Sequence, residues 1–245
     1  NYLYEKLQRK GILEKDCDKM VKSDRVTWGS CMVACGDADG MVTGNTRHFS
    51  ATVEKLAQSV GTREKEILFG LCLYVSKGKT ILIADTNVIE YPTSEELVDI
   101  TISSARIAEM LGFEPKVALL SHSTFGQPET DRTKRVRQAV EMLKNKKVKF
   151  LFDGEMQPDV ALNSKFKSTY PFSKIVGNAN VLVMPSIHAA AVSTKMLKEL
   201  GGGKVIGPLL IGLAQPIEVA PLRSSSSEIL NLASIAAYSS EVIKY

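Results

Sequence analysis

Cysteine is scarce in this chain, and its placement argues against two classes of protein at once. The four residues, Cys17, Cys31, Cys35 and Cys72, form no CxxC pair and no dense framework across 245 positions. Neither a zinc site nor a disulfide scaffold is expected, and a reducing, cytoplasmic compartment with free thiols is. Cys31 and Cys35 are spaced to share a helix face, but no histidine neighbours them. The three histidines, His48, His122 and His188, have no metal-ligand spacing, so no metal site is expected. No run approaches the ~20 apolar residues of a membrane span, and the first residues do not resemble a signal peptide. No membrane partner is expected. Walker loops, the GxGxxG fingerprint and the GxSxG nucleophile elbow are all missing. Excess charge of one sign is missing too: 31 basic against 27 acidic residues leave a net +4, a weak basis for nucleic-acid binding. The densest basic run, Lys144–Lys149, falls at a predicted helix end, where cations complement the dipole, and carries no interleaved aromatics.

What is present reads as an ordinary globular α/β chain. Hydrophobic residues make up 44% and charged residues 24%, and the length suffices for a substantial core. The stretch from Gly177 to Pro216 organises the rest. Val181–Met184 is an apolar run bounded by Asn180 and Pro185, and Ser186 can cap a helix running from His188 to Leu200. Gly201–Gly203 stop that helix, and Lys204–Leu213 returns as a strand broken at Gly207 and Pro208. Strand, helix and strand over some forty residues (on the order of one such motif) predict a βαβ unit, with a ligand at the carboxyl ends of its strands.

In chain order, helices are predicted over 2–10, 14–22 and Thr27–Ala34, then a strand over Gly40–Thr43 and a helix from about Ser50. Glycines around that strand, with Arg47 and His48 before the helix, make a candidate anion pocket. Turn glycines beside a solvent-facing arginine are the competing account. Glu66–Ser76 and Lys79–Ala84 pair as a hairpin through Lys77-Gly78. Thr93 and Glu96 form a capping box for a helix to Leu111. Strand Val117–Leu120 ends in Ser121-His122-Ser123-Thr124, whose hydroxyls at a strand end form a candidate phosphate cradle or a plain polar turn. Helix Thr133–Leu143 leads to a strand over Val148–Phe152, followed by Asp153, Glu155 and Asp159. Three carboxylates so placed suit acid/base chemistry or metal ligation beside a phosphate. A strand over Ile217–Ala220 and a helix from Glu228 to Glu241 finish the chain. Alternating strands and helices predict an α/β sheet covered on both faces.

Taken together, GDADGMVTG at 36–44, ADTNV and PTSEEL within 84–97, and EPKVALLSHST at 114–124 resemble the phosphate acetyl/butyryltransferase family. FDGEMQPDVALN at 152–163, NANVLVMP at 178–185 and LGGGKVIGPLLIGL at 200–213 continue the match in order. The resemblance implies a three-layer α/β/α, two-lobed fold of the isocitrate/isopropylmalate dehydrogenase kind with a cleft between the lobes. Lobe I is expected from residues 1–60 and 217–245, and lobe II from 61–216. Within the family, VTGNTRHFSATVEKL, PLLIGLAQPIEVAP and ILNLASIAA are most similar to the C-terminal domain of hybrid NADP-dependent malic enzymes. The chain opens on Asn1-Tyr2-Leu3-Tyr4 rather than methionine and is expected to be a fragment.

The resemblance also implies ligands and roles. Acetyl-CoA or CoA and phosphate are the expected ligands, held by Arg47, Ser121, Ser123, Thr124, Asp153 and Arg223. NADP and a divalent metal are expected only in a malic-enzyme half outside this sequence, with that half and a second copy in a homodimer as partners. Active transferases of the family carry a Ser-Arg pair and an acidic residue seven positions beyond the serine. The matching positions here are Pro221, Leu222 and Glu228, so hydroxyl and guanidinium are gone and only the carboxylate remains. Ile187–Val192 is apolar where transferases often carry a polar run. Glu228 and Asp153 are the acid/base candidates of any remaining activity. The expectation is a domain that binds acetyl-CoA as an inhibitory ligand and is weak or inactive as a transferase. A working phosphate acetyltransferase and a structural oligomerisation module are the alternatives.

Overall fold

The computed structural model describes residues 1–242. The described residues divide into two compact units, residues 1–68 with 207–242 and residues 69–206. The boundaries fall at 68/69, just before a strand that starts at Phe69, and at 206/207, inside the strand Lys204–Ile211; those read from sequence were 60/61 and 216/217.

The second unit is organised by a sheet. Its strands are β2 (Phe69–Ser76), β3 (Lys79–Ala84), β4 (Lys116–Leu120), β5 (Leu151–Met156) and β6 (Val181–Val183). With β7 (Lys204–Ile211), the strand by which the chain leaves the unit, the order is β5-β4-β6-β3-β2-β7. β4 pairs in parallel with β5 and β6, and β3 in parallel with β6, while β2 and β3 are antiparallel. The β2–β3 hairpin turns through Lys77 and Gly78, both at positive φ (49° and 74°), as a two-residue turn matched to strand twist requires.

Two layers of helix cover this sheet because its strands are apolar on both faces. On one face α5 (Ser94–Met110) and α6 (Asp131–Lys146) pack together and onto β3, β4 and β6. On the other, Ile83, Ala118, Leu120, Leu182 and Met184 form a core with Val160 and Ala161 of α7 (Pro158–Leu162). Ile175 and Val176 from the preceding loop, with Ala190 of α8 (Ile187–Leu200), complete it. Alternate residues of each strand therefore serve opposite layers. Local chemistry starts each helix. Thr93 Oγ1 accepts the Glu96 N–H at 3.2 Å while the Glu96 carboxylate accepts the Thr93 N–H at 2.7 Å. Thr130 and Thr133 form a second reciprocal cap at the start of α6. Ser186 accepts the Ala189 N–H to start α8.

Three sequence readings need correction here. The strand predicted over Val148–Phe152 is instead β5, Leu151–Met156, because α6 persists to Lys146 and Lys147 ends it in the left-handed region at φ 52°. Asp153 and Glu155 consequently lie within a strand. β7 runs unbroken through Gly207 and Pro208. The segment β6-α8-β7 is not a βαβ unit of neighbouring strands, since β3 and β2 lie between β6 and β7 in the sheet.

The first unit is mainly helical: α1 (Tyr2–Leu7), α2 (Glu14–Ser23), α3 (Arg25–Cys35), α4 (Phe49–Ser59) and α9 (Ser226–Val242). Its strands β1 (Met41–Gly44) and β8 (Ile217–Ala220) pair in parallel, Met41 against Ile217 through Gly44 against Ala220. The last pair requires glycine: Gly44 has φ 106°, and a Cβ there would lie 2.3 Å from the Ala220 carbonyl oxygen. β8 is buried along its whole length, and Glu218 within it is a buried acid accepting the Leu210 N–H at 2.9 Å. Burial, opposed only by that hydrogen bond, pushes Glu218 up to about 8. No described helix is long and apolar enough to cross a membrane.

Candidate functional site

In the second unit, the carboxyl ends of the parallel strands β4 and β6 open into a cavity of about 290 Å³. Leu120, Ser121 and His122 leave β4 along one side; Met184, Pro185 and Ser186 leave β6 along another. The N-terminal turns of α6 and α8 bring in Arg132, Arg135 and Ala189, and Tyr91 closes the edge. Such crevices at strand ends between helix N-termini are where α/β folds hold anionic ligands. The arginines are built differently. Arg132 is exposed and lies 5.3 Å from the centre of the Tyr91 ring, a cation–π contact. Arg135 donates from Nη2 to the Pro185 carbonyl at 3.0 Å, tying α6 to the β6–α8 turn. Its Nε–H is buried and finds no acceptor among the described residues. Burial, with Arg132 beside it, lowers the Arg135 pKa. A buried donor without an acceptor is costly, so an incoming anion with acceptor oxygens would satisfy it. Two guanidiniums, two hydroxyls and a stacking tyrosine fit a phosphate-bearing ligand.

The hydroxyl cradle read from sequence divides into different tasks. Ser121 lines the cavity. Ser123 is wholly buried; its Oγ–H donates to Glu155 Oε1 at 3.2 Å, and its Oγ shares a hydroxyl–hydroxyl hydrogen bond with Ser121 Oγ, also at 3.2 Å. Thr124 Oγ1 accepts the Gln157 N–H at 3.2 Å. Both hold the 121–127 loop in shape. Glu155 anchors the same loop: it is 1% exposed, accepts the Gly126 N–H at 2.8 Å, and is met in a bidentate pair by Arg137 Nε at 3.3 Å and Nη2 at 3.2 Å. Burial works to raise the Glu155 carboxyl, but these donors outweigh it and hold it below the usual range. Asp153 lies elsewhere. It sits on the sheet-edge strand β5 and faces an open depression with Lys144, Phe172 and Lys174, not the cavity beyond Ser121. Its carboxylate accepts the Gly154 N–H at 2.9 Å.

In the first unit, the carboxyl ends of β1 and β8 bring Arg47 and Arg223 onto neighbouring loops. The Arg223 N–H donates to the Asn45 carbonyl at 3.2 Å, and the Asn45 N–H to that of Ala220 at 2.9 Å. A cavity of about 380 Å³ lies beside them, lined in part by Arg25, Asn45, Thr46 and Arg47. Asn45 Oδ1 is buried there with no donor among the described residues. The Arg47 guanidinium is engaged by Asp24, which also meets Lys55 at 3.1 Å and caps α3 through Thr27. Burial would raise the Asp24 carboxyl, but hydrogen bonds from Arg47, Thr27 and Lys55 dominate and hold it well below the usual carboxylate range. Arg223 is exposed and adopts a left-handed backbone at φ 62°. Glu228 closes a cap at the start of α9: its Oε2 accepts the Ser225 N–H at 2.8 Å and Oγ–H at 2.9 Å, and Ser225 Oγ accepts the Glu228 N–H at 3.3 Å.

Sequence reasoning thus named Ser121 but missed Arg132, Arg135 and Tyr91, which share its cavity. The available sign was the pair of arginines three residues apart in the first turns of the helix that follows the hydroxyl loop.

The comparisons with known proteins agree with this architecture. The chain matches the phosphate acetyl/butaryl transferase family over residues 1–237. It is similar to an NADP-dependent malic enzyme of Rhizobium meliloti, 48% identical over 238 residues that cover 97% of this chain and 31% of that protein. It is also similar to a phosphate acetyltransferase of Acetivibrio thermocellus, 32% identical, with 100% of this chain and 76% of that protein covered. Among solved structures, a phosphotransacetylase from Streptococcus pyogenes superposes with a TM-score of 0.91 at 30% identity, covering 98% of this chain and 73% of that one. This chain spans about a third of the length of its malic-enzyme relatives. With its helix-flanked sheet, its strand-end crevices and these likenesses, the chain belongs to the phosphate acetyl/butaryl transferase family.

Proposed function

We propose that this chain is the C-terminal, phosphotransacetylase-like part of a cytoplasmic NADP-dependent malic enzyme. In that role it binds acetyl-CoA as an inhibitory ligand and is weak or inactive as a transferase. One observation carries the reading. Of the Ser, Arg and acid positions that the family resemblance assigns to transfer, two are Pro221 and Leu222, and the third, Glu228, is engaged in the cap of α9. Acyl transfer between a thiol and phosphate needs a base for the thiol and donors for the oxyanion. Loss of one oxyanion donor commonly costs ~10²–10³ in rate.

Binding asks less of the chain. The strand-end cavity of the second unit supplies Arg132 and Arg135 to phosphate oxygens, with Ser121 and Ser186 as hydroxyl partners. NADP and a divalent metal belong, in this reading, to the remaining two thirds of the polypeptide, which would receive the inhibitory signal. The two units are read as the lobes of an isocitrate/isopropylmalate dehydrogenase-like fold, a reading supported by the three layers of the second. The second reading, an active phosphate acetyltransferase, is favoured by the contact of the Arg223 loop with the Arg47 loop, which would let Arg223 stand in for the absent guanidinium.

Calorimetric titration of acetyl-CoA into the chain and its Arg132→Ala variant tests the binding site. Losing one charge-assisted contact is expected to raise Kd by about 10- to 100-fold. Equal affinity of the two proteins would remove the cavity from the account.

A further inference from the structure

We propose that the Ser121 hydroxyl meets the second unit's cavity as a hydrogen-bond acceptor, its direction set by Glu155 through Ser123. It thereby selects a tetrahedral anion that still carries a proton, hydrogen phosphate, over one that carries none, such as sulfate. The inference rests on the reading of that cavity as a phosphate-binding site and adds which protonation pattern the site accepts.

A count of protons along a buried chain fixes the direction. Glu155 Oε1 accepts the Gly126 N–H at 2.8 Å and Arg137 Nη2 at 3.2 Å, and Oε2 accepts Arg137 Nε at 3.3 Å. A carboxylate held by these donors stays ionised and can only accept. The single proton of Ser123 Oγ is therefore spent on Glu155 Oε1, 3.2 Å away. What Ser123 Oγ offers Ser121 Oγ, also at 3.2 Å, is a lone pair, so the proton in that contact comes from Ser121. Ser121 Oγ also accepts the Ser123 N–H at 3.4 Å. With its proton and one lone pair engaged inside the loop, Ser121 turns its other lone pair to the cavity that it lines. Its backbone is fixed as well, since the Ser121 N–H donates to the Met156 carbonyl at 3.0 Å.

The other hydroxyl and the two guanidiniums of the cavity donate. Arg132 and Arg135 carry only N–H groups there. Ser186 Oγ accepts the Ala189 N–H at 3.4 Å and keeps its own proton for a ligand. Bare anion oxygens are attracted to these donors and repelled by the Ser121 lone pair. Hydrogen phosphate can turn its O–H to Ser121 and its bare oxygens to the arginines. Sulfate, of similar shape and equal charge, has no proton to give and leaves that acceptor unpaired, which is the costly outcome in a buried site. Ser123 and Glu155 do not line the cavity; they are positioning residues that act through Ser121.

Calorimetric titration of sodium phosphate and of sodium sulfate into the chain tests this, at slightly alkaline pH where both anions are dianions. The chain is expected to bind phosphate at least ~10-fold more tightly than sulfate. Ser121→Ala should bring the two affinities together. Ser123→Ala leaves the Arg137–Glu155 pair in place and frees the Ser121 proton, so sulfate should bind roughly 10-fold more tightly while phosphate changes little. A merely structural role for Ser123 would weaken both anions alike, and that result would overturn the relay. A phosphate preference that survives Ser121→Ala would overturn the proposal too. Equal affinities in the wild-type chain, both weakened by Arg132→Ala, would sink the proposal and leave the cavity reading standing. Binding of neither anion would remove the two together.

Discussion

Replacing Glu228 separates a cap from a catalytic base. The carboxylate accepts two hydrogen bonds from Ser225 and, with Ser225 Oγ on the Glu228 N–H, closes the first turn of α9. α9 packs on β1 and β8, so the cap bears on the whole first unit. Glu228→Ala removes both acceptor contacts and is expected to cost about 1–2 kcal/mol, the range for lost helix caps. For a chain of this length that corresponds to a fall in Tm of roughly 3–6 °C. Glu228→Gln keeps an acceptor oxygen at the same reach, and capping boxes accept glutamine, so its Tm should stay within about 1 °C of wild type. Neither substitution should change acetyl-CoA affinity. Thermal denaturation followed by circular dichroism reads the first effect and calorimetric titration the second. Equal destabilisation by Gln and Ala would refute the capping argument. An unchanged Tm with a loss of thiol-releasing activity in both variants would return Glu228 to catalysis.

Two further perturbations probe the buried acids. Glu218 titrates in the folded chain at about 8 rather than 4.5, so between those values the folded state holds a proton that the unfolded chain has lost. Stability should be greatest below pH ~4.5 as far as this group is concerned, and fall by on the order of a few kcal/mol as pH rises toward ~8. Glu218→Gln should remove that slope in denaturant titrations; a slope that persists would place its source elsewhere. Glu155→Ala strips the acceptor from Arg137, Gly126 and Ser123, and should lower Tm by at least ~5 °C, whereas Glu129→Ala, at the half-exposed end of the same network, should lower it by ~1 °C or less. Equal effects would show that burial of Glu155 does not set its worth.

Much of the architecture was legible because local chemistry agrees with it. The Thr93–Glu96 box, the Lys77-Gly78 turn and the Ser186 cap are short-range signals, and each is present in the structure. The strand over Leu151–Met156 was misplaced because Asp153, Gly154 and Glu155 have the composition of a loop. What allows Glu155 inside a strand is Arg137, eighteen residues earlier, and no window of periodicity contains both. The separation of β6 from β7 by β3 and β2 was hidden for a similar reason, since chain order does not give sheet order. At the candidate site, Ser121 was visible as a hydroxyl at a strand end. Arg132 and Arg135 were not singled out, because only the fold sets α6 beside the β6–α8 turn. Glu228 was named as an acid/base candidate, and its hydrogen bonds to Ser225, only three residues away, give it a local use that the sequence also contained.

The most direct measurement of the central claim is phosphate-dependent release of free CoA thiol from acetyl-CoA at high protein concentration, run beside a binding titration in the same buffer. The account predicts binding without turnover above a protein-free control. Sustained thiol release would contradict it and point to Arg223 as the replacement for the guanidinium absent at Leu222.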